Sequence, residues 1–352
     1  MLINAVTAKM LITFPHNIIV VCKNAAWISS IYIVLLAALL FGLICMVYSS
    51  DKNVIELAEK YGGKPLRTFT GLAVFAVLFL NFFSQIRIFP EAIRLVLLQT
   101  SYVELIGLLL AVGLVLGAYC GLGAVARLQE LFLPIAGIVF ALFILFLIPT
   151  VTNDNIFPLL GDGAQSLFID NISFLSVFTD LLLLNLLLPY MENAKDYKRS
   201  GFKVIAIGGA VIVIIVTTYC LSYPYPVTEK YLMPVYQLER LIRLGNFFSR
   251  LEAVFQFIWS ISILLYGSLY IFMMSEVWRS GFGLKQSQPL ILPVTAIMIG
   301  ASVIPDSLAG MVNWETQINK WLYIPAFAIP LIFGITDKLF HVKHLSKDGE
   351  LK

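Results

Sequence analysis

Ser173-Phe-Leu-Ser-Val-Phe-Thr-Asp180 runs directly into Leu181-Leu-Leu-Leu-Asn185, and the two halves make opposite demands. The leucines require an apolar surrounding. Two serines, a threonine and a carboxylate nevertheless stand in the middle of an apolar run, 166–191, that is long enough to cross a bilayer at about 20 residues per span. Serine and threonine hydroxyls can bond back to a carbonyl of their own helix. A carboxylate has no such outlet, and at the bilayer centre it costs about 2.5–3.5 kcal/mol even on a lenient insertion scale, so Asp180 needs a partner or a wet cavity.

The rest of the chain agrees with this setting. Of 352 residues, 59% are hydrophobic and 13% charged, and the mean hydropathy is +0.89; ordinary soluble domains are about 45–50% apolar and about 25% charged. A water-soluble globule is excluded. Besides 166–191, uninterrupted apolar runs cover 25–48, 68–89, 102–119, 131–149, 203–221, 250–278, 289–304 and 321–339. None alternates with a period of two, so helices are the way to satisfy the backbone in lipid. The run 1–21 is broken by Lys9, Pro15 and His16. It carries no basic segment and no small-x-small site of a signal peptide, and reads as a first spanning helix whose opening turns are missing. The expectation is an all-α integral membrane protein, one transmembrane domain over 1–352, with about ten spans.

Basic residues cluster in 51–67, in 192–203, at Arg127, Arg279 and Lys285, and in the tail 341–352, all connections of one parity. The positive-inside rule then puts both termini in the cytoplasm. Trp27, Trp278, Trp314 and Trp321 fall at span ends, as an aromatic belt requires. The net charge of +3 is spread over short loops, which argues against nucleic acid as a partner. Neither the four cysteines nor His16, His341 and His344 have metal-ligand spacing, so no metal or cofactor is expected. Gly121-Leu-Gly123-Ala-Val-Ala126 matches a dinucleotide fingerprint, but no strand precedes it. Asn171-Ile-Ser173 matches a glycosylation acceptor but lies at a span. No nucleophile elbow, zincin or Walker motif occurs, and the chain is not expected to be an enzyme.

The first and sixth spans share an interruption. In the first, Asn4, Thr7, Ala8 and Lys9 lie at mid-depth and Pro15 stops a regular helix just beyond; in the sixth, Ser176, Phe178, Thr179 and Asp180 do the same. The breaks are five spans apart, so two five-helix repeats, about 1–150 and 164–340, would have opposite topology, and paired breaks, unwound so that half-helix N-termini and free carbonyls face a ligand, point to a midplane binding site. Counting back from Lys23 puts Lys9 at the depth of Asp180, and an ion pair between them is expected. The third span adds Asn81 and Ser84, and an i,i+4 pair of Arg87 with Glu91. The eighth begins Arg250-Leu-Glu252 and later presents Ser260 and Tyr266. Between the seventh and eighth, 235–244 is amphipathic and reads as a helix on the outer membrane surface, either a mere interface float or a gate or partner contact.

In order and spacing, Thr7-Ala-Lys-Met-Leu-Ile-Thr-Phe-Pro15 with Asn24-Ala-Ala-Trp27, Arg87 with Glu91, Asn155-Ile-Phe-Pro-Leu-Leu-Gly-Asp-Gly163, Ser176-Val-Phe-Thr-Asp180 with Leu188-Pro189, and Arg250-Leu-Glu252 leading to Trp259 resemble the B subunits of GerA-type spore germinant receptors. These form a membrane branch of the amino acid, polyamine and organocation transporter superfamily. Relative to that pattern the inner half of helix one is absent and Thr179 replaces a glycine. The resemblance implies a ten-helix inverted repeat of the LeuT type in the cell or spore inner membrane. It also implies a small nutrient ligand, usually an amino acid, and A and C partner subunits. Thr7, Ala8, Lys9, Asn81, Ser84, Ser176, Phe178, Thr179, Asp180, Ser260 and Tyr266 are the candidate ligand residues; Arg87, Glu91, Arg250 and Glu252 are candidates for gating. The competing expectation is an ion-coupled amino acid permease.

Overall fold

The structure is a computed structural model that describes all residues except 12, 49, 192, 193, 226, 243–250, 306 and 350–352; the side chains of 194, 251 and 341–349 are also outside the description. The described residues form thirteen α-helices and no strand: α1 (Leu2–Met10), α2 (Phe14–Cys22), α3 (Ala26–Val47), α4 (Val54–Val96), α5 (Val103–Tyr119), α6 (Gly121–Leu147), α7 (Ala164–Phe168), α8 (Leu181–Leu186), α9 (Ala194–Ser222), α10 (Pro234–Leu241), α11 (Leu251–Phe282), α12 (Ile291–Ser302) and α13 (Leu308–Gly349). Seven helical stretches among them are long and apolar enough to cross a membrane, while α5 and α12 are apolar but shorter. The expected spans all fall on helix or on interrupted helix, although only seven reach full length unaided.

Apolar residues on these helices separate by face. In α3, Leu35, Leu39, Leu43 and Met46 are exposed while Ile33, Ala37, Phe41 and Ile44 are buried, two stripes at helical spacing of which the first meets lipid. The helix α4 runs well beyond the expected 68–89. Its first two turns are set off by Gly63 at φ 64°, a conformation that favours glycine, and Asn53 with Glu56 closes a capping box at its start. The Asn185 side chain accepts from Val54 N at 3.0 Å, so this start is tied to α8.

Where α4 crosses α11, Gly71 and Gly281 meet backbone to backbone: a Cβ on Gly71 would lie 2.7 Å from Gly281 Cα. Thr68 Oγ1 donates to the Gly281 carbonyl at 2.9 Å beside the crossing. Gly71→Ala is therefore expected to lower stability by about 1–3 kcal/mol through overpacking. Gly123→Ala, where an added Cβ meets open space, is expected to be neutral or mildly stabilising; melting of both variants in detergent checks the contrast.

Two expectations are corrected. The amphipathic segment does not float: α10 packs on α9 and α11, with Leu238 and Glu239 buried; the rest of 235–244 beyond Ile242 lies outside the described residues. The sixth span is not unwound at its break either. Residues Asp170–Phe178 form a 3-10 helix, and the i to i+3 pattern continues as Thr179 N donates to Ser176 O, Leu182 N to Thr179 O and Leu183 N to Asp180 O. The tighter winding keeps the backbone satisfied through the break.

Candidate functional site

The first helix ends at Met10 and the second begins at Phe14, which leaves the last carbonyls of α1 without helical donors. Trp259 Nε1 supplies one, donating to Ala8 O at 2.9 Å, and Asn4 Nδ2 donates to Ser262 O at 3.1 Å. The short α1 is thus pinned to α11 at two points. Pro15 stands in the first turn of α2, where its missing N–H removes nothing.

On the other face of α1, Lys9 reaches the sixth span. Its Nζ lies 3.1 Å from Asp180 Oδ2, with Lys9 7% and Asp180 0% exposed, and donates to Asn81 Oδ1 at 3.0 Å. The ion pair expected from the two interruptions is present. Asn81 Nδ2 donates to Asp180 Oδ1 at 3.1 Å and to the Tyr270 oxygen, and the Tyr270 hydroxyl donates to Asp180 Oδ1. Asp180 caps α8 in position but not in bonding: its side chain makes no cap bond, being committed to this network.

Thr13 is the matching residue of the first break. It occupies the cap position of α2 without capping it, and its Oγ1 donates to Glu315 Oε2 at 2.7 Å. Gln85 Nε2 and Ser84 Oγ donate to Glu315 Oε1 at 2.9 and 3.3 Å. Lys9, Asn81, Ser176 and Glu315 line one small cavity of about 30 Å3. Both interruptions therefore deliver a carboxylate contact to one buried, polar place: Lys9 is the one cation among the described lining residues and Glu315 the one carboxylate there, with Asp180 paired to Lys9 behind it.

Sequence reasoning missed Glu315 and Tyr270. The segment 308–320 reads as a polar connection, yet Met311, Glu315 and Leu322 are buried along one face of α13, a helical stripe in which Glu315 is the polar member. Tyr270 lies one turn beyond Tyr266; their rings pack at 4.8 Å and both meet Phe82.

The remaining candidates divide. Thr7 and Ala8 face a second, larger cavity of about 320 Å3 on the opposite side of α1 from Lys9, and Thr7 Oγ1 bonds back to Ile3 O. Phe178 and Thr179 are fully buried, the latter donating to Ser176 O at 2.6 Å. Ser260 bonds to Gln256 O within its own helix. Glu91 accepts from Arg87 as expected, at 3.3 Å, and also from Arg94 at 3.0 Å. Glu252 is half-buried; Arg250 lies outside the described residues.

A family profile described as "Spore germination protein" matches residues 1–308. Spore germination protein KB of Bacillus subtilis (strain 168) is 22% identical over 276 residues, which cover 76% of this chain and 73% of that protein. The chain belongs to this spore germination protein family, as its motifs led one to expect, and is an all-helical membrane protein.

Proposed function

We propose that this member of the spore germination protein family is the nutrient-binding membrane subunit of a germinant receptor, acting with A and C subunits in the cell or spore inner membrane with both termini cytoplasmic. Its ligand is amino-acid-like and is held at the midplane between the two interrupted helices. The observation that carries the reading is the buried network in which Asp180 and Asn81 hold the Lys9 ammonium and Tyr270 donates to Asp180. A cavity of about 30 Å3 has room for about two waters, so a nutrient enters only by displacing something. Lys9 is a tethered ammonium in the place that a free ligand's ammonium would take. Exchange of one for the other releases Lys9 and with it α1, which gives binding a mechanical output. Ser176, Thr13 and Ser84 would then face the rest of the ligand.

The order of the elements supports a LeuT-like pair of inverted repeats. The interrupted α1–α2 is followed by α3, α4, α5 and α6, and the interrupted sixth span by α9, α11, α12 and α13, which is the arrangement paired breaks imply.

A second reading, an ion-coupled permease, is favoured by the charge count: two carboxylates against one lysine leave a place for a proton or sodium ion. Proteoliposomes holding the purified chain, offered each of the twenty radiolabelled amino acids, separate the two. Binding without uptake is the expected result, and Asp180→Asn should weaken it tenfold or more, about 1.4 kcal/mol, at unchanged membrane insertion. Uptake driven by an ion gradient would establish the permease reading, and neither binding nor uptake would overturn both.

A further inference from the structure

The large cavity shares α1 with the Lys9 network but none of its charges. Its walls come from α1, the end of α4, α6, α9 and α11, and α10 closes it with Tyr236 and Glu239. At about 320 Å3 it stands at the lower end of the size of small-molecule sites, about 300–1,000 Å3. Its lining is apolar almost throughout, for instance Leu133, Phe140 and Val211. Two polar exceptions stand out. Glu239 is 6% and Gln256 3% exposed, both line the cavity, and neither Glu239 Oε2 nor Gln256 Nε2 has a hydrogen-bond partner among the described residues. Buried unpartnered groups of this kind cost about 1–3 kcal/mol each, more when charged, so one apolar chamber carries an acceptor and a donor that have no partner among the described residues. Their senses are complementary to a single ligand: the carboxylate calls for a cationic donor and the amide N–H for an oxygen.

We propose that this cavity binds a small, bulky apolar primary amine that carries an oxygen acceptor near the ammonium, with Glu239 taking the ammonium, Gln256 the oxygen and the apolar walls the hydrocarbon. The site is separate from the midplane network, so either assignment can fail while the other stands. Burial, with the Glu252 carboxylate close by, pushes the Glu239 carboxyl well above the usual carboxylate range, and an ammonium bound beside it would draw it back toward the charged form.

Titration calorimetry on the full-length chain in detergent tests this with four probes of one hydrocarbon shape: L-leucinamide, isoamylamine, isoamyl alcohol and isovalerate. Leucinamide should bind tightest and isoamylamine next. The neutral alcohol should be weaker than the amine by about tenfold or more, the worth of one charge-assisted hydrogen bond, and isovalerate should not bind. Glu239→Gln should abolish the preference for amine over alcohol, and Gln256→Leu only the advantage of leucinamide over isoamylamine. Gly137→Leu, which projects into open space within the cavity lining, should remove binding of all probes without unfolding the chain, and it keeps the test alive if Glu239→Gln misfolds. Equal affinity for amine and alcohol would make the cavity an apolar pocket for lipid chains and overturn the proposal, as would amine binding that survives Gly137→Leu.

Discussion

Replacing Lys9 by methionine is expected to destabilise the folded chain by about 3–5 kcal/mol, the cost of leaving a buried carboxylate without its cation. Asp180 is fully buried and would keep only the neutral donors Asn81 and Tyr270. Asp180→Leu should be comparably harmful, because it strands the Lys9 ammonium. The double change Lys9→Met with Asp180→Leu should be more stable than either single variant, since an ion pair replaced by packed apolar side chains is often close to neutral. Melting temperatures of the four proteins in one detergent form the cycle. A coupling energy near zero would mean that the 3.1 Å approach contributes no attraction.

The second large effect concerns Glu315, which accepts from Thr13, Ser84 and Gln85. Glu315→Leu leaves three buried donors without an acceptor, and at about 1–3 kcal/mol for each stranded group a loss of several kcal/mol is expected. Glu315→Gln keeps an oxygen for Thr13 or Gln85 and removes one negative charge from a network that has two carboxylates for one lysine, so its loss should be much smaller. The contrast between the two variants, read by thermal melting, checks whether Glu315 serves as an acceptor or as a charge. If glutamine costs as much as leucine, the charge itself is required and Lys9 is shared between both carboxylates.

Asp180 and Lys9 were legible from the chain because ionisable groups in apolar runs are expensive and must find each other. Glu315 was not, for the converse reason. Trp314, Thr316, Gln317, Asn319 and Lys320 surround it with residues typical of a connection, and only the packing of α13 shows that one face of this stretch is buried. Tyr270 was silent because a tyrosine in a spanning helix carries no penalty that would mark it out. The location of the two breaks followed from Pro15 and from the serine and threonine cluster, but their form did not. Hydroxyls, an acid and aromatic residues in sequence fit an unwound segment and a 3-10 helix equally well, and the choice falls to the neighbours that must satisfy the backbone. The depth of α10 is not legible in the sequence because its alternation of charge and apolar residues suits a membrane surface and a protein surface alike; Glu239, on its buried side, breaks the amphipathic pattern.

The proposed function requires the place held by Lys9 to be a site for an ammonium group. Lys9→Ala removes the tether and leaves that place open, so methylammonium chloride should raise the melting temperature of Lys9→Ala well above the effect of the same concentration of potassium chloride. The wild-type chain, whose site is filled, should show no such excess, and neither should the double variant Lys9→Ala with Asp180→Leu. The excess should persist when Glu239→Gln is added to Lys9→Ala. Equal responses to methylammonium in the wild type, the single variant and the double variant would contradict the account.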